Sequence, residues 1–161
     1  MHRGTLVATL AVLGCSGVSR LPSVVPAAAP VAPRLGRALA DPDQFIERSG
    51  ARWHCPPTQL PCVGVELGAH GQVERISWYH SGPQYDSLRA ALVRRYGTAR
   101  NGFSATGGEA LMWVEATKRM CVLHILGFEE GILLVLERRA ADGAAAQGIT
   151  RMSPGACDEI T

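Results

Sequence analysis

Apolar and polar positions run in two different periods between residues 62 and 138. "CVGVEL" (Cys62–Leu67) alternates, with Val63, Val65 and Leu67 on one side, the spacing of a half-buried strand. "GAHG" reads as a turn, and "QVERISWYH" pairs back with Ile76 and Trp78 on one face. The period then changes. Tyr85, Leu88, Leu92 and Tyr96 recur at helical spacing, while Arg89, Arg94 and Arg95 mostly lie off that stripe. Ser81 or Gly82 suits the cap of this helix, Pro83 its first turn and Gly97 its stop. After the glycine-rich stretch "GTARNGFSATGGE" come three apolar runs, "ALMWVEA", "MCVLHILG" and "ILLVLERR". Short turns at Thr117–Arg119 and Phe128–Gly131 separate them, which predicts an antiparallel meander. The last two runs are apolar at nearly every position and should be covered on both faces. The order ββαβββ predicts an α+β fold: a small antiparallel sheet with one main helix packed on it. No internal repeat is visible.

The flanks read differently. "DPDQFIERSG" (41–50) has the signals of a short helix, with Asp41 at the cap, Pro42 at the first position and Gly50 as the stop. Residues 15–40 are rich in alanine and carry Pro22, Pro26, Pro30 and Pro33 without one acid, the composition of an extended, semi-rigid tether. Residues 141–161 are small and polar, a flexible tail unless tied down. The expected organisation is a leader over 1–14, a tether over 15–40, an α+β domain over 41–140 and the tail.

The leader is the most specific signal. His2 and Arg3 precede the ten uncharged residues Thr5–Gly14. A membrane-spanning helix needs about 20 apolar residues, so this run fits a signal-peptide core instead. The tetrapeptide Val12-Leu13-Gly14-Cys15 resembles the lipobox of bacterial lipoprotein precursors, with an aliphatic residue three before the cysteine and a small one just before it. That resemblance covers residues 1–16 alone and implies cleavage ahead of Cys15, with a diacylglycerol on its thiol. Leu13 departs from the commoner small residue. Ser16, rather than an aspartate, implies sorting to the outer membrane, facing the periplasm. A competing signal exists: Ala38-Leu39-Ala40 matches the A-x-A cleavage pattern and would release a soluble periplasmic or secreted chain starting at Asp41.

Charge narrows the partners. The net of +2 hides an asymmetry, because Arg3, Arg20, Arg34 and Arg37 all precede Asp41. Of 16 basic and 14 acidic residues, 12 basic and all 14 acidic ones lie from Asp41 onward, a balance of −2. Nucleic-acid binding requires a basic stripe on the folded part, and none is present.

The five cysteines are an odd number, but a lipidated Cys15 leaves four, and an oxidising compartment favours pairing. Three connectivities are open from sequence. The preferred one joins Cys55 to Cys62 around a proline-stiffened loop and Cys121 to Cys157, pinning the tail. The alternative for Cys121 is a buried free thiol.

Catalytic chemistry has little support. Nucleophile-elbow, phosphate-loop, dinucleotide and zinc-protease motifs are absent, so no catalytic residue and no cofactor is assigned. His54 and Cys55 are sequence neighbours that point to opposite sides of an extended chain. His54, His70, His80 and His124 lack metal-ligand spacing, so no metal is expected. His124 lies between Val122 and Leu126 on a strand face and reads as a hydrogen-bonded sheet histidine; Glu129 and Glu130 read as turn residues. "CPPTQLPC" (55–62) is a restrained loop, and Thr58, Gln59 and Leu60 with the neighbouring Trp53 form a candidate partner-binding element.

The expected function is therefore binding. An envelope-anchored lipoprotein would present a small interaction domain to an envelope protein, a cell-wall component or a foreign enzyme. The alternative is a secreted small-ligand carrier or enzyme using the glycine-rich loop at 101–109. Labelled fatty acid should enter the wild-type chain and be lost in Cys15→Ala. Labelling that survives the substitution, or a mature N-terminus at Asp41, overturns the anchor.

Overall fold

The computed structural model describes residues 21–22, 32–48, 50–56, 61–103, 108–126 and 130–139. The strands there are β1 (Ile46–Arg48), β2 (Ala51–His54), β3 (Cys62–Leu67), β4 (Val73–Ser81), β5 (Arg100–Phe103), β6 (Glu109–Val114), β7 (Lys118–Ile125) and β8 (Gly131–Arg138). They form one antiparallel sheet in the order β1-β2-β3-β4-β8-β7-β6-β5. A single helix, α1 (Tyr85–Tyr96), connects β4 to β5.

This corrects the expected fold. The elements β3, β4, α1, β6, β7 and β8 occur as predicted. The sheet is not small, however, and no ββαβββ unit with one dominant helix is present. Strand makes up 51% and helix 15% of the described residues, with three short strands beside the predicted five. One of them, β1, stands where a helix was expected over 41–50, and β2 follows directly after it. Asp41 adopts a left-handed φ of 51° and its side chain makes no capping bond. Only the turn Pro42–Gln44 is helical, and Phe45 is already extended. Gly50 does not end a helix; at φ 79° it turns the chain between β1 and β2. The third, β5, occupies the start of the glycine-rich stretch and pairs with β6. The stretch at 101–109 therefore holds the rest of β5, the β5–β6 connection and the first residue of β6, and its residues 104–107 lie outside the described ones.

The architecture is two four-stranded meanders, β1–β4 and β5–β8, whose last strands pair at the centre. The β4–β8 ladder runs from Arg75↔Glu137 to Ser81↔Gly131, and Gly82 extends it by donating to the Glu130 carbonyl at 2.7 Å. A half-turn about this ladder superimposes the pairing registers. The pair Cys62↔Tyr79 falls on Cys121↔Val135, and Val63↔Trp78 on Val122↔Leu134. The strands so related read Cys62-Val-Gly-Val-Glu-Leu-Gly68 and Cys121-Val-Leu-His-Ile-Leu-Gly127. The architecture thus repeats although the chain as a whole shows no repeat.

One face carries the main core. Val63, Val65, Ile76, Trp78, Leu111, Met120, Val122, Ile132, Leu134 and Leu136 are buried there, beneath Tyr85 and Leu92 of α1. Within the stretch 15–40, Leu21 and Leu35 belong to the same core. Gly36 and Arg37 bond the backbone of Val73 at 2.8 Å each. The opposite face buries a smaller cluster of Ala110, Cys121, Leu123 and Val135. The two runs expected to be covered on both sides, β7 and β8, are thus buried on both.

Beside that cluster the opposite face holds a ladder of charges. Glu66, Arg75, Glu137 and Arg119 are successive cross-strand neighbours on β3, β4, β8 and β7. Arg75 bonds Glu66 at 2.7 Å and Glu137 at 3.0 Å, and Arg119 bonds the other oxygen of Glu137. The Glu137 side chain is only 7% exposed, so both guanidiniums are needed to offset its lost hydration.

The helix rests on Leu92, 3% exposed, whereas Leu88 is half-buried. Leu92→Ala should cost about 2–5 kcal/mol in urea unfolding, and Arg94→Ala, on the exposed side, less than about 0.5 kcal/mol. Equal losses would reject this packing face.

Candidate functional site

Two groups of side chains stand out, at opposite ends of the sheet. The first is the edge hairpin β1–β2. Trp53 lies on the face away from α1, opposite Ile46 in β1 and Gly64 in β3. Gly64 makes room for its ring, since a Cβ there would sit 2.9 Å from three ring carbons. Behind it, Cys55 is joined to Cys62, as the sequence led us to expect. The bridge ties the end of β2 to the start of β3. His54 Nδ1 donates to the Gln44 carbonyl at 2.9 Å and holds the strand against the preceding turn.

The result is a firm edge with an apolar side chain left in water. Ile46 is 63% exposed. Ile46, Arg48, Trp53 and Cys55 line a cavity of about 290 Å³. Arg48 has no ion-pair partner among the described residues. Of the proposed binding element, Trp53 is placed at this cavity; Thr58, Gln59 and Leu60 lie outside the described residues. Cys121 is fully buried and itself disulfide-bonded, not a free thiol; its expected mate Cys157 lies outside the described residues, as does Cys15.

The second group sits beneath the start of α1. The Tyr85 ring stacks on His124 with centroids 4.4 Å apart and planes within 6°. His124 Nε2 donates to Glu130 at 2.7 Å. Arg89, one turn along the helix, bridges to Glu109 at 3.1 Å. The hydrogen-bonded reading of His124 is correct. Glu130, however, is more than a solubilising turn residue, because it fixes the imidazole. Among the described residues the buried Tyr85 hydroxyl has no hydrogen-bond partner, nor have His80 Nδ1 and Trp78 Nε1. Burial, with Glu109 adding to it against the opposing pull of Arg89, pushes the Tyr85 phenol up to about 12.

A histidine oriented by a carboxylate is half of an acid–base pair. Stacked on Tyr85 of α1 and bonded to Glu130 just before β8, His124 also clamps the helix to the sheet. Sequence reasoning had each residue but not the cluster. Tyr85, Glu109, His124 and Glu130 come from four segments, and only the register brings them together. Among the described residues no three His, Cys, Asp or Glu side chains group as metal ligands. None of the described residues among 101–109 lines the cavity at the edge hairpin.

The Tyr85 phenol makes stability depend on alkaline pH, with a defined sign. Below pH 10 it is protonated folded and unfolded. Between about 10 and about 12 the unfolded chain releases a proton that the folded chain keeps, so stability falls as pH rises through that window. Tyr85→Phe removes this loss. The variant should melt no lower than wild type at pH 8 and at a clearly higher temperature at pH 11; parallel pH curves would refute the burial argument.

No protein-family model, no curated protein and no solved structure matches this chain.

Proposed function

We propose that the protein is an exported, lipid-anchored binding protein of the cell envelope that engages a protein partner through the β1–β2 edge hairpin. One observation carries the reading: Ile46 stands 63% exposed beside Trp53, on a hairpin backed by a disulfide, around a cavity with an uncommitted arginine at its rim. An exposed aliphatic side chain next to an anchored aromatic is the composition of an interface centre. The bridge supports docking by limiting the entropy lost when the surface is covered. Arg48 favours a partner that sets a carboxylate beside an apolar side chain.

The address rests on the leader. The run Thr5–Gly14 ahead of Cys15 supports export and lipid attachment, and the Cys55–Cys62 bridge suits an oxidising compartment. No helix among the described residues is long and apolar enough to cross a membrane.

The test is cross-linked capture from an envelope extract, with the full chain as bait. Ile46→Asp should reduce recovery of the captured protein tenfold or more, about 1.4 kcal/mol. Leu126→Asp, which alters an apolar residue of comparable exposure (53%) elsewhere, should leave it unchanged. Both variants should melt within a few degrees of wild type. Equal capture by the two variants removes the hairpin from the interface.

A further inference from the structure

The sheet face away from α1 is buried, although no described element covers it. Ala110, Cys121, Leu123 and Val135 form an apolar cluster there, with Met112 and Leu133 packed against it. All six belong to the strands β6, β7 and β8 themselves. Helix α1 and the residues Leu35 and Phe45 join the core of the other face. A fully buried side chain is touched on all sides, and one sheet layer supplies neighbours on one side alone. Ala110 and Cys121 nevertheless expose no surface, and Val135 only 1%. A further layer of chain must lie over them.

Cys121 indicates which chain this is. It stands mid-face, in the cross-strand row Ser77, Val135, Cys121, Met112 and Arg100. It is disulfide-bonded, and a disulfide holds its two Cα atoms about 4.4–6.8 Å apart. The backbone bearing the second cysteine therefore lies directly on this face. Cys55 and Cys62 are joined to each other. Within the chain that leaves Cys15 and Cys157, both outside the described residues.

Length, composition and charge favour Cys157. Val135, opposite Cys121, is close to the end of β8 at Arg138. At ~3.3 Å per residue, the chain from Arg139 to Cys157 is long enough to double back over β8, β7 and β6. Ile149, Met152, Ala156 and Ile160 supply the apolar side chains that a cover needs, and Asp158 and Glu159 follow the cysteine directly. The face offers them opposite charge: Arg119 lies beside Cys121 along β7, and Arg100 ends the same row. Residues 15–20 hold no acid, and they lead into Leu21 in the core of the other face.

We propose that this face is the docking surface of the chain's own C-terminal segment, residues 140–161, fixed there by a Cys121–Cys157 disulfide. The segment forms a second layer over β6, β7 and β8. Its apolar side chains rest on Leu123, Leu133 and Val135, and its acids face Arg119 and Arg100. The bridge leaves Cys15 outside any disulfide, as the lipid anchor requires, but does not depend on the anchor. A chain cleaved before Asp41 keeps both cysteines of the bridge.

The full chain, purified without reductant, is digested with trypsin to test the pairing. The peptide 120–138 should be recovered joined to 152–161 and should part from it only on reduction. An unjoined peptide, or one joined to another cysteine peptide, overturns the proposal. A link to the peptide carrying Cys15 overturns the anchor as well, whereas an N-terminus at Asp41 with the 152–161 link intact overturns the anchor alone. Coverage has a separate readout. In methyl-labelled full chain, nuclear Overhauser contacts should join Ile149, Met152 or Ile160 to Leu123, Leu133 or Val135. A segment linked through Cys157 that shows none of these contacts is merely tethered, and the docking surface is refuted.

Discussion

The structure depends on the pairing of β4 with β8. Each meander alone would be a four-stranded sheet with an open edge on its last strand. Joined, these strands become the buried centre of one sheet, and their inward residues Ile76, Trp78, Ile132, Leu134 and Leu136 form the middle of the main core. Burying side chains of this size contributes roughly 1.5–3 kcal/mol each. The same pairing closes the charge ladder, because Arg75 and Glu137 belong to different meanders. The ladder constrains register as well as charge. A slip by one residue would turn Glu137 onto the apolar face and break both of its ion pairs.

A centre secured in this way leaves the edges to vary. The candidate binding hairpin lies among the outer strands, where the chain is less constrained. On one side, β1 is three residues long and exposed throughout, and the disulfide behind it supplies the rigidity that hydrogen bonding does not. On the other, the end of α1 is held to β6 by the edge contact of Tyr96 with Trp113 and by the Trp113 indole bonded to Gly97. The helix clamp formed by Tyr85, His124 and Glu130 holds the start of α1, so both of its ends stay on the core face.

The parts of the fold legible in the sequence are those whose side chains are sorted by burial. Val63 and Val65, Ile76 and Trp78, and the stripe from Tyr85 to Tyr96 follow the period of their element, because one side meets the core. The missed strands have no such sorting. β1 is exposed at all three positions, β2 is half-buried at all four, and β5 carries Arg100, Asn101 and Gly102. Their extended shape comes from neighbouring strands. Local cues even pointed elsewhere, since Asp41-Pro42 and Gly50 have the composition of helix ends.

By itself the sequence determined the uncharged run that ends at Cys15, the acidic balance from Asp41 onward, the strand and helix periods, and the short loop between Cys55 and Cys62 that made their pairing natural. These follow from residue type and local spacing, which need no knowledge of the rest of the chain. Only the tertiary structure decided that two meanders share one sheet, that Glu66, Arg75, Glu137 and Arg119 stand in a row, and that Cys121 faces away from α1 in one row with Val135 and Met112. Strand pairing between distant segments is a choice of register, and register is settled by burial and charge summed over the whole sheet.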